Sequence, residues 1–366
     1  FILTLTLFTG CICYNYKEQT STTKHYSQEE ISRYIPIKMG FVYSGFIGDK
    51  GWSSAHNEAR KTLEYELKLN TSYVENVMTN EDAVKAIQKL IDDDCKVMST
   101  FSLSFLDATV EAAKNNPEIY FFNCAGNVTL DNLSTFFGKK YQATYLCGIV
   151  AGMRTQTNKI GYVAANKVPE VIRGINAFTL GVQSVNPNAE IYVRWTNYWY
   201  NPPVEKSNAI ELINLNCDVI TQHQNTTGCQ IAAQQAQNSG KDVWCIGEHI
   251  PNLQEAPDAY LTAPLFEYFE YYKSQLDQIV DGTWKPTAYW AGLDENIVSI
   301  DTLSPNCAEG TQEKVDKAYN EILAGTEKIF EGPIYDNNGN LRIKEGECMT
   351  DEELLNFDWF VYGVLE

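Results

Sequence analysis

Positive charge is scarce in this chain. It has 28 Lys and Arg against 47 Asp and Glu, a formal net charge of -19 over 366 residues. A nucleic-acid binder neutralises phosphates with a basic surface, so this balance excludes that class. It equally argues against docking on anionic lipid through a polybasic face. No block of like charge is long enough to suggest a charged disordered tail. Histidine is rarer still, with only His25, His56, His223 and His249. No HExxH or GxSxG occurs, and no base and nucleophile stand in a hydrolytic pattern. The ten cysteines form no CxxC pair and no Cys/His cluster, which removes a zinc site. Most have apolar neighbours and read as small buried hydrophobes, with a disulfide or two left open.

Long hydrophobic runs are also missing. A spanning helix needs about 20 apolar residues. The opening FILTLTLFTGC falls short of that and ends in small residues before Cys11. It reads as the apolar region of a secretion signal, residues 1–11. Thr9 and Gly10 before Cys11 resemble a bacterial lipoprotein cleavage box, so Cys11 is the expected lipidation site. A plain secretion signal or an ordinary strand are the other readings. Residues 12–36 are polar at first, rich in Thr, Ser, Lys and Glu, and read as a flexible tether. The expected place is the cell envelope, on the extracytoplasmic side, with the lipid as the only membrane contact.

What the chain does have is length, 44% hydrophobic residues and a steady rhythm. Single cores stop growing near ~250–300 residues, so two cores are expected. Short runs rich in Val, Ile, Tyr and Phe alternate with amphipathic stretches. The runs are Met39–Tyr43, Tyr73–Val77, Lys96–Thr100, Ile119–Asn123, Ile160–Ala164, Ile191–Trp195, Asp218–Thr221 and Val243–Gly247. Helices are expected between them. One starts near Asp82 with Thr79 or Asn80 as its cap, and others cover about Ser53–Leu67 and Pro169–Val185. This alternation predicts an α/β fold of two doubly wound Rossmann-like lobes, with parallel sheets covered on both faces. Crossovers near Thr135–Phe137, Tyr260–Ala263 and Trp290–Leu293 give a hinge of three strands. Residues 37–135 plus 264–290 then make one lobe, and 136–263 plus 291–366 the other. Thr350 and Glu353 form a capping box for a last helix.

Open α/β sheets bind ligands beyond the carboxyl ends of their strands. Those ends carry SGFIGDKGW, FSLSF, TNYWYNPP, QHQNTTG and EHIP. Aromatic, amide and carboxylate groups on two facing rims suit a flat polar heterocycle. Trp52 and Trp199 (or Tyr200) are the candidate stacking pair, or else they pack within their lobes. Asp49 can accept from a ring N–H or exocyclic amine, or cap a helix, and the two roles can coexist. Gln222 and His223 can read a ring edge or serve as loop residues. Tyr43, Phe101, Ser102 and Glu248 complete the candidate lining. Gly45–Gly51 is glycine-rich but fits neither GxGxxG nor GxxxxGK[ST], so a nucleotide-phosphate loop is not expected.

Several runs carry a resemblance. They are MGFVYSGFIGDKGWSSAHNEAR, TSYVENV, IGYVAANKVPEVIRGINAFTLGVQSVNPNAEI, YWYNPP, DVITQH, DGTW, FEGPIYDNNGNLRI and TDEELLNFDWFVYGV. From about Lys38 to the end, the chain resembles the basic membrane protein family of importer-associated binding lipoproteins. It looks closest to a branch associated with adenine-like ligands. The resemblance implies a type I periplasmic-binding-protein fold, no cofactor and no enzymatic activity. It also implies a monomer that serves an ABC permease and its ATPase. By position, Trp52 and Trp199 match the stacking aromatics and Asp49 the acidic residue of the first loop. Nucleoside-binding relatives hold ribose with an Asp, where this chain has Glu248–His249, and with a Lys in the helix after the second crossover, where none appears before Lys273. The expected ligand is therefore a free purine base of the adenine or hypoxanthine type. A purine nucleoside is the alternative, as is a sensor role without transport.

Overall fold

A computed structural model describes residues 26–366. The expected signal, Cys11 and the first part of the tether lie outside these residues. No helix among the described residues is long and apolar enough to cross a membrane.

The first lobe grows from a repeated strand–helix unit. After the short helix α1 (Gln28–Ser32) come β1 (Lys38–Val42), α2 (Trp52–Leu67), β2 (Asn70–Val74), α3 (Asn80–Asp92), β3 (Val97–Thr100), α4 (Leu106–Asn115), β4 (Tyr120–Cys124) and β5 (Leu133–Gly138). The second lobe repeats the pattern with α5 (Tyr141–Arg154), β6 (Lys159–Ala164), α6 (Pro169–Val185), β7 (Glu190–Trp195), α7 (Pro202–Asn214), β8 (Val219–His223), α8 (Gly228–Asn238) and β9 (Trp244–Cys245). The chain then revisits both lobes through β10 (Pro264–Phe266), α9 (Tyr268–Val280), β11 (Ala288–Ala291), β12 (Val298–Ile300) and α10 (Thr311–Leu323). It ends with β13 (Ile334–Tyr335), β14 (Leu341–Ile343), α11 (Asp351–Leu355) and β15 (Val364–Leu365).

The first sheet has the order β11-β5-β4-β3-β1-β2 and the second β15-β7-β6-β8-β9. Every pairing within these two sheets is parallel. β3, β4 and β5 are buried along their whole lengths or nearly so, as strands covered on both faces must be. Order reverses beside β1 in one sheet and β6 in the other. These are the switch points at which doubly wound sheets open a crevice.

Three segments pass between the sheets: Gly138 to Tyr141, the stretch around β10, and the stretch from β11 to β12. β10 and β12 pair antiparallel. The first sheet extends to Gly138 and Ala291, slightly past the expected boundaries. β10 joins neither large sheet. In the second lobe, α5 and α6 touch almost backbone to backbone. A Cβ on Gly148 would lie 2.2 Å from the Phe178 carbonyl oxygen, and one on Gly181 2.0 Å from that of Tyr145. This contact holds the middle of α5 against α6.

Some expectations need correction. The second strand is Asn70–Val74, not Tyr73–Val77. It is an edge strand, where Asn, Thr and Ser are tolerated because one side faces solvent. β9 is only two residues long. The end of the expected tether is folded. Ser27 and Glu30 cap α1 reciprocally, and Ile31 and Tyr34 are buried. The Tyr34 hydroxyl donates to Asp277 of α9, and Arg33 pairs with Asp281. Two apolar residues three apart share one side of a helical turn, and burying them outweighs the polar composition around them. The Thr350–Glu353 capping box forms as expected.

Candidate ligand-binding site

The loop after β1 builds the first wall. The Asp49 carboxylate accepts from the backbone N–H groups of Gly51, Ser53 and Ser54, each at 2.9 Å. It thus satisfies the open donors at the start of α2 and meets the positive end of that helix. Asp49 is 5% exposed and fills the helix-capping role expected of it. Trp52 opens α2 and is half-buried. Its indole N–H donates to the Phe101 carbonyl at 3.0 Å. Its ring meets those of His56, Phe137, His249, Phe266 and Tyr268.

Beneath Trp52, the His56 imidazole is sandwiched between Phe101 and Tyr268, both at 3.9 Å between ring centres. Burial holds His56 well below the usual histidine range, so it is neutral. Tyr43 and Phe101 stack at 5.0 Å and are fully buried. They belong to the core of the first lobe rather than to its rim. Ser102 bonds to Ser104 and starts a short turn.

The second wall is charged. Lys140 stands at the start of α5, 5% exposed, with its ammonium on the Glu248 carboxylate and 3.1 Å from His223 Nε2. Its neighbour Lys139 turns outward to Asp351 at 3.0 Å. Glu170, in the first turn of α6, lies 3.3 Å from the same His223 nitrogen. Burial opposes ionisation of Glu170. The hydrogen bond from His223 and the charges of His223, Lys140 and Arg173 together outweigh it and hold the carboxyl at about 2. The Gln222 amide donates to the Thr226 carbonyl, leaving its own oxygen buried without a partner among the described residues.

His249 follows Glu248 in the left-handed region, with φ of 65°. Its ring lies nearly parallel to Phe266, 5.8 Å away and tilted by 14°. Burial, then the charge of Lys140, hold it well below its usual range. Nε2 is 3.6 Å from Glu248, while Nδ1 has no partner among the described residues.

Ligand atoms of His223, Glu248 and His249 lie within 4.8 Å of one another, a spacing a metal could use. Lys140 already places an ammonium on two of the three. A second cation there would face that charge at close range, so these residues do not fit a metal.

The lobes touch around this region. Phe46 meets Tyr200 edge-on at 5.5 Å, and Lys50 pairs with Glu255. A Cβ on Gly51 would lie 2.6 Å from the Asn225 Cα, so only glycine permits this approach. Trp52 and Trp199 are linked through two histidines rather than face to face. The ring steps are 5.7 Å from Trp52 to His249, 6.0 Å to His223 and 6.2 Å to Trp199. Trp199 is 41% exposed at the rim. A separate concavity of about 390 Å³, lined by Leu180, Gln183, Tyr335 and Tyr362 among others, lies at α6 and the C-terminal hairpin, away from this junction.

Of the residues picked from sequence, Trp52, His223 and Glu248 converge at the junction, with Trp199 at its edge, while Gln222 bonds within the loop that follows β8. Asp49, Tyr43, Phe101 and Ser102 support it from behind. Sequence reasoning missed Lys140, Glu170, His56 and Phe266, and treated His249 only as a departure from a pattern. A Lys-Lys pair at a helix start reads as solvent-facing, and nothing local marks which lysine turns in.

Comparison with known proteins gives the family and the fold. Residues 37–331 match the family model for PnrA-like ABC transporter substrate-binding proteins, named Bmp. A purine-binding protein of Brucella abortus is 34% identical over 330 residues, covering 90% of this chain and 93% of its own. A putative ABC transporter glucose-binding protein of Haloferax volcanii is 32% identical over 305 residues, covering 83% and 76%. The crystal structure of an ABC transporter solute-binding protein from Aeropyrum pernix superposes with a TM-score of 0.70 at 15% identity, over 82% of this chain and 93% of that one. The fold is that of type I periplasmic binding proteins, and the chain belongs to the Bmp family of ABC transporter substrate-binding proteins.

Proposed function

We propose that this chain captures a free purine base between its lobes and delivers it to an ABC permease and its ATPase. Closure about the three-segment hinge traps the ligand, because a ligand touching both lobes favours the closed state. One observation carries the reading. A buried acceptor without a partner among the described residues, His249 Nδ1, belongs to a ring that meets Trp52 of the other lobe and lies beside Phe266. A buried polar atom left unpaired costs about 1–3 kcal/mol, which a ligand N–H can offset. Rings beside such acceptors suit a flat heterocycle, and each stacked base can contribute ~1–3 kcal/mol. The similarity to a purine-binding relative points the same way.

The test is thermal melting against adenine, hypoxanthine, guanine, their nucleosides and glucose. A ligand that binds only the folded state raises the melting temperature by mass action. The reading predicts a shift with free bases. A shift with glucose alone, as the Haloferax relative's description would suggest, overturns it.

A further inference from the structure

We infer that His249 is the residue that separates free purine bases from their nucleosides, by accepting the N–H of the purine's five-membered ring at Nδ1. The inference rests on the purine reading above and adds the determinant of its selectivity.

Three features single out His249. Its backbone sits at φ 65°, a region that costs a non-glycine residue conformational energy and is kept where the surroundings enforce it. Backbone pairing supplies that enforcement, since the His249 N–H donates to the Pro264 carbonyl at 3.0 Å. The side chain is 3% exposed, yet Nδ1 has no partner among the described residues. And the ring stands at the lobe junction, parallel to Phe266 and 5.7 Å from Trp52 of the opposite lobe.

The state of the ring follows from its neighbours. Burial and the Lys140 charge keep it neutral, so it carries one proton. The Glu248 carboxylate lies 3.6 Å from Nε2 and favours the proton on that nitrogen. Nδ1 is then a pure acceptor. The nearest strong donor, the Lys140 ammonium, is engaged with Glu248 and is not bonded to Nδ1.

A free purine base presents one N–H on its five-membered ring. A nucleoside carries its sugar on that nitrogen and has no proton to give. A buried acceptor that has lost its donor discriminates strongly, far more than a pocket judging bulk alone. Bulk and hydrogen bonding can be separated by an isostere in which sulfur replaces the ring N–H, since it adds no sugar and no methyl group.

The experiment is calorimetric titration of the full chain with adenine, adenosine, 9-methyladenine and the sulfur isostere of adenine. Wild type is compared with His249→Asn and His249→Gly. Both replacements accept a left-handed backbone, but only Asn offers a side-chain acceptor. Wild type is expected to prefer adenine to the sulfur isostere by roughly 10²-fold or more. His249→Gly should reduce that ratio to within about threefold by weakening adenine, and His249→Asn should restore part of it. Equal binding of adenine and its isostere by wild type overturns the role of His249 while leaving the purine reading intact. So does an unchanged ratio in His249→Gly. If wild type binds none of the purines, both fall together.

Discussion

The two walls of the junction are built on opposite plans. The first-lobe wall is local. Asp49, Gly51, Trp52, Ser53 and Ser54 are consecutive or nearly so, and their polar groups are satisfied within one turn or by the Phe101 carbonyl. The second-lobe wall is assembled from four distant stretches carrying Lys140, Glu170, His223 and Glu248. A wall made by one loop stands or falls with that loop. A wall made by a buried charge network depends on every member, because any one left alone is a charge without a partner.

Breaking the distant network should have the largest effect. Lys140→Met leaves Glu248 buried and unpaired, and should lower stability by about 3–5 kcal/mol in urea unfolding. Adding Glu248→Leu should recover most of that loss. A single-mutant cost below about 1 kcal/mol would remove the contrast between the walls. Asp49→Ala should cost less, about 1–2 kcal/mol, as the loss of a local cap does. The smallest change is expected from Glu170→Gln, since the Glu170 side chain is partly exposed, and this change disappears in acid. The Glu170 carboxyl is held at about 2 against an ordinary 4.5, so its contribution is present above pH 4.5 and is lost as pH falls towards 2. The variant should be less stable than wild type near neutrality and converge on it as pH falls from 4.5 towards 2, flattening the stability curve in that window. A slope identical to wild type between pH 4.5 and 2 would place Glu170 outside the network.

The same local-versus-distant contrast decides what the sequence discloses. The strand–helix alternation is legible because buried parallel strands must be apolar and helices must be amphipathic. The Asp49 cap and the Thr350–Glu353 box are legible because capping is a matter of three or four neighbouring residues. β15 was not foreseen, since two residues, Val364 and Leu365, carry too little pattern to announce a strand. Lys140 was not foreseen because its partner Glu248 is over a hundred residues away. His56 looked unremarkable on a helix, and only the fold reveals Phe101 and Tyr268 on its two faces. The stacking pair drawn from Trp52 and Trp199 is, in the structure, a ring path completed by His249 and His223.

The cysteines have a practical consequence. The eight within the described residues are all free thiols, six of them buried, Cys307 half-buried and Cys348 exposed. Burial pushes the Cys95 and Cys307 thiols up to about 11, which keeps them protonated and slow to react. No bond among these eight has to be oxidised for this body to fold. It can be made in a reducing cytosol without a disulfide isomerase, and among these eight a maleimide dye added to the native body will find Cys348 first. Within residues 26–366, a fluorescent reporter of ligand capture can therefore start from Cys348 without any substitution.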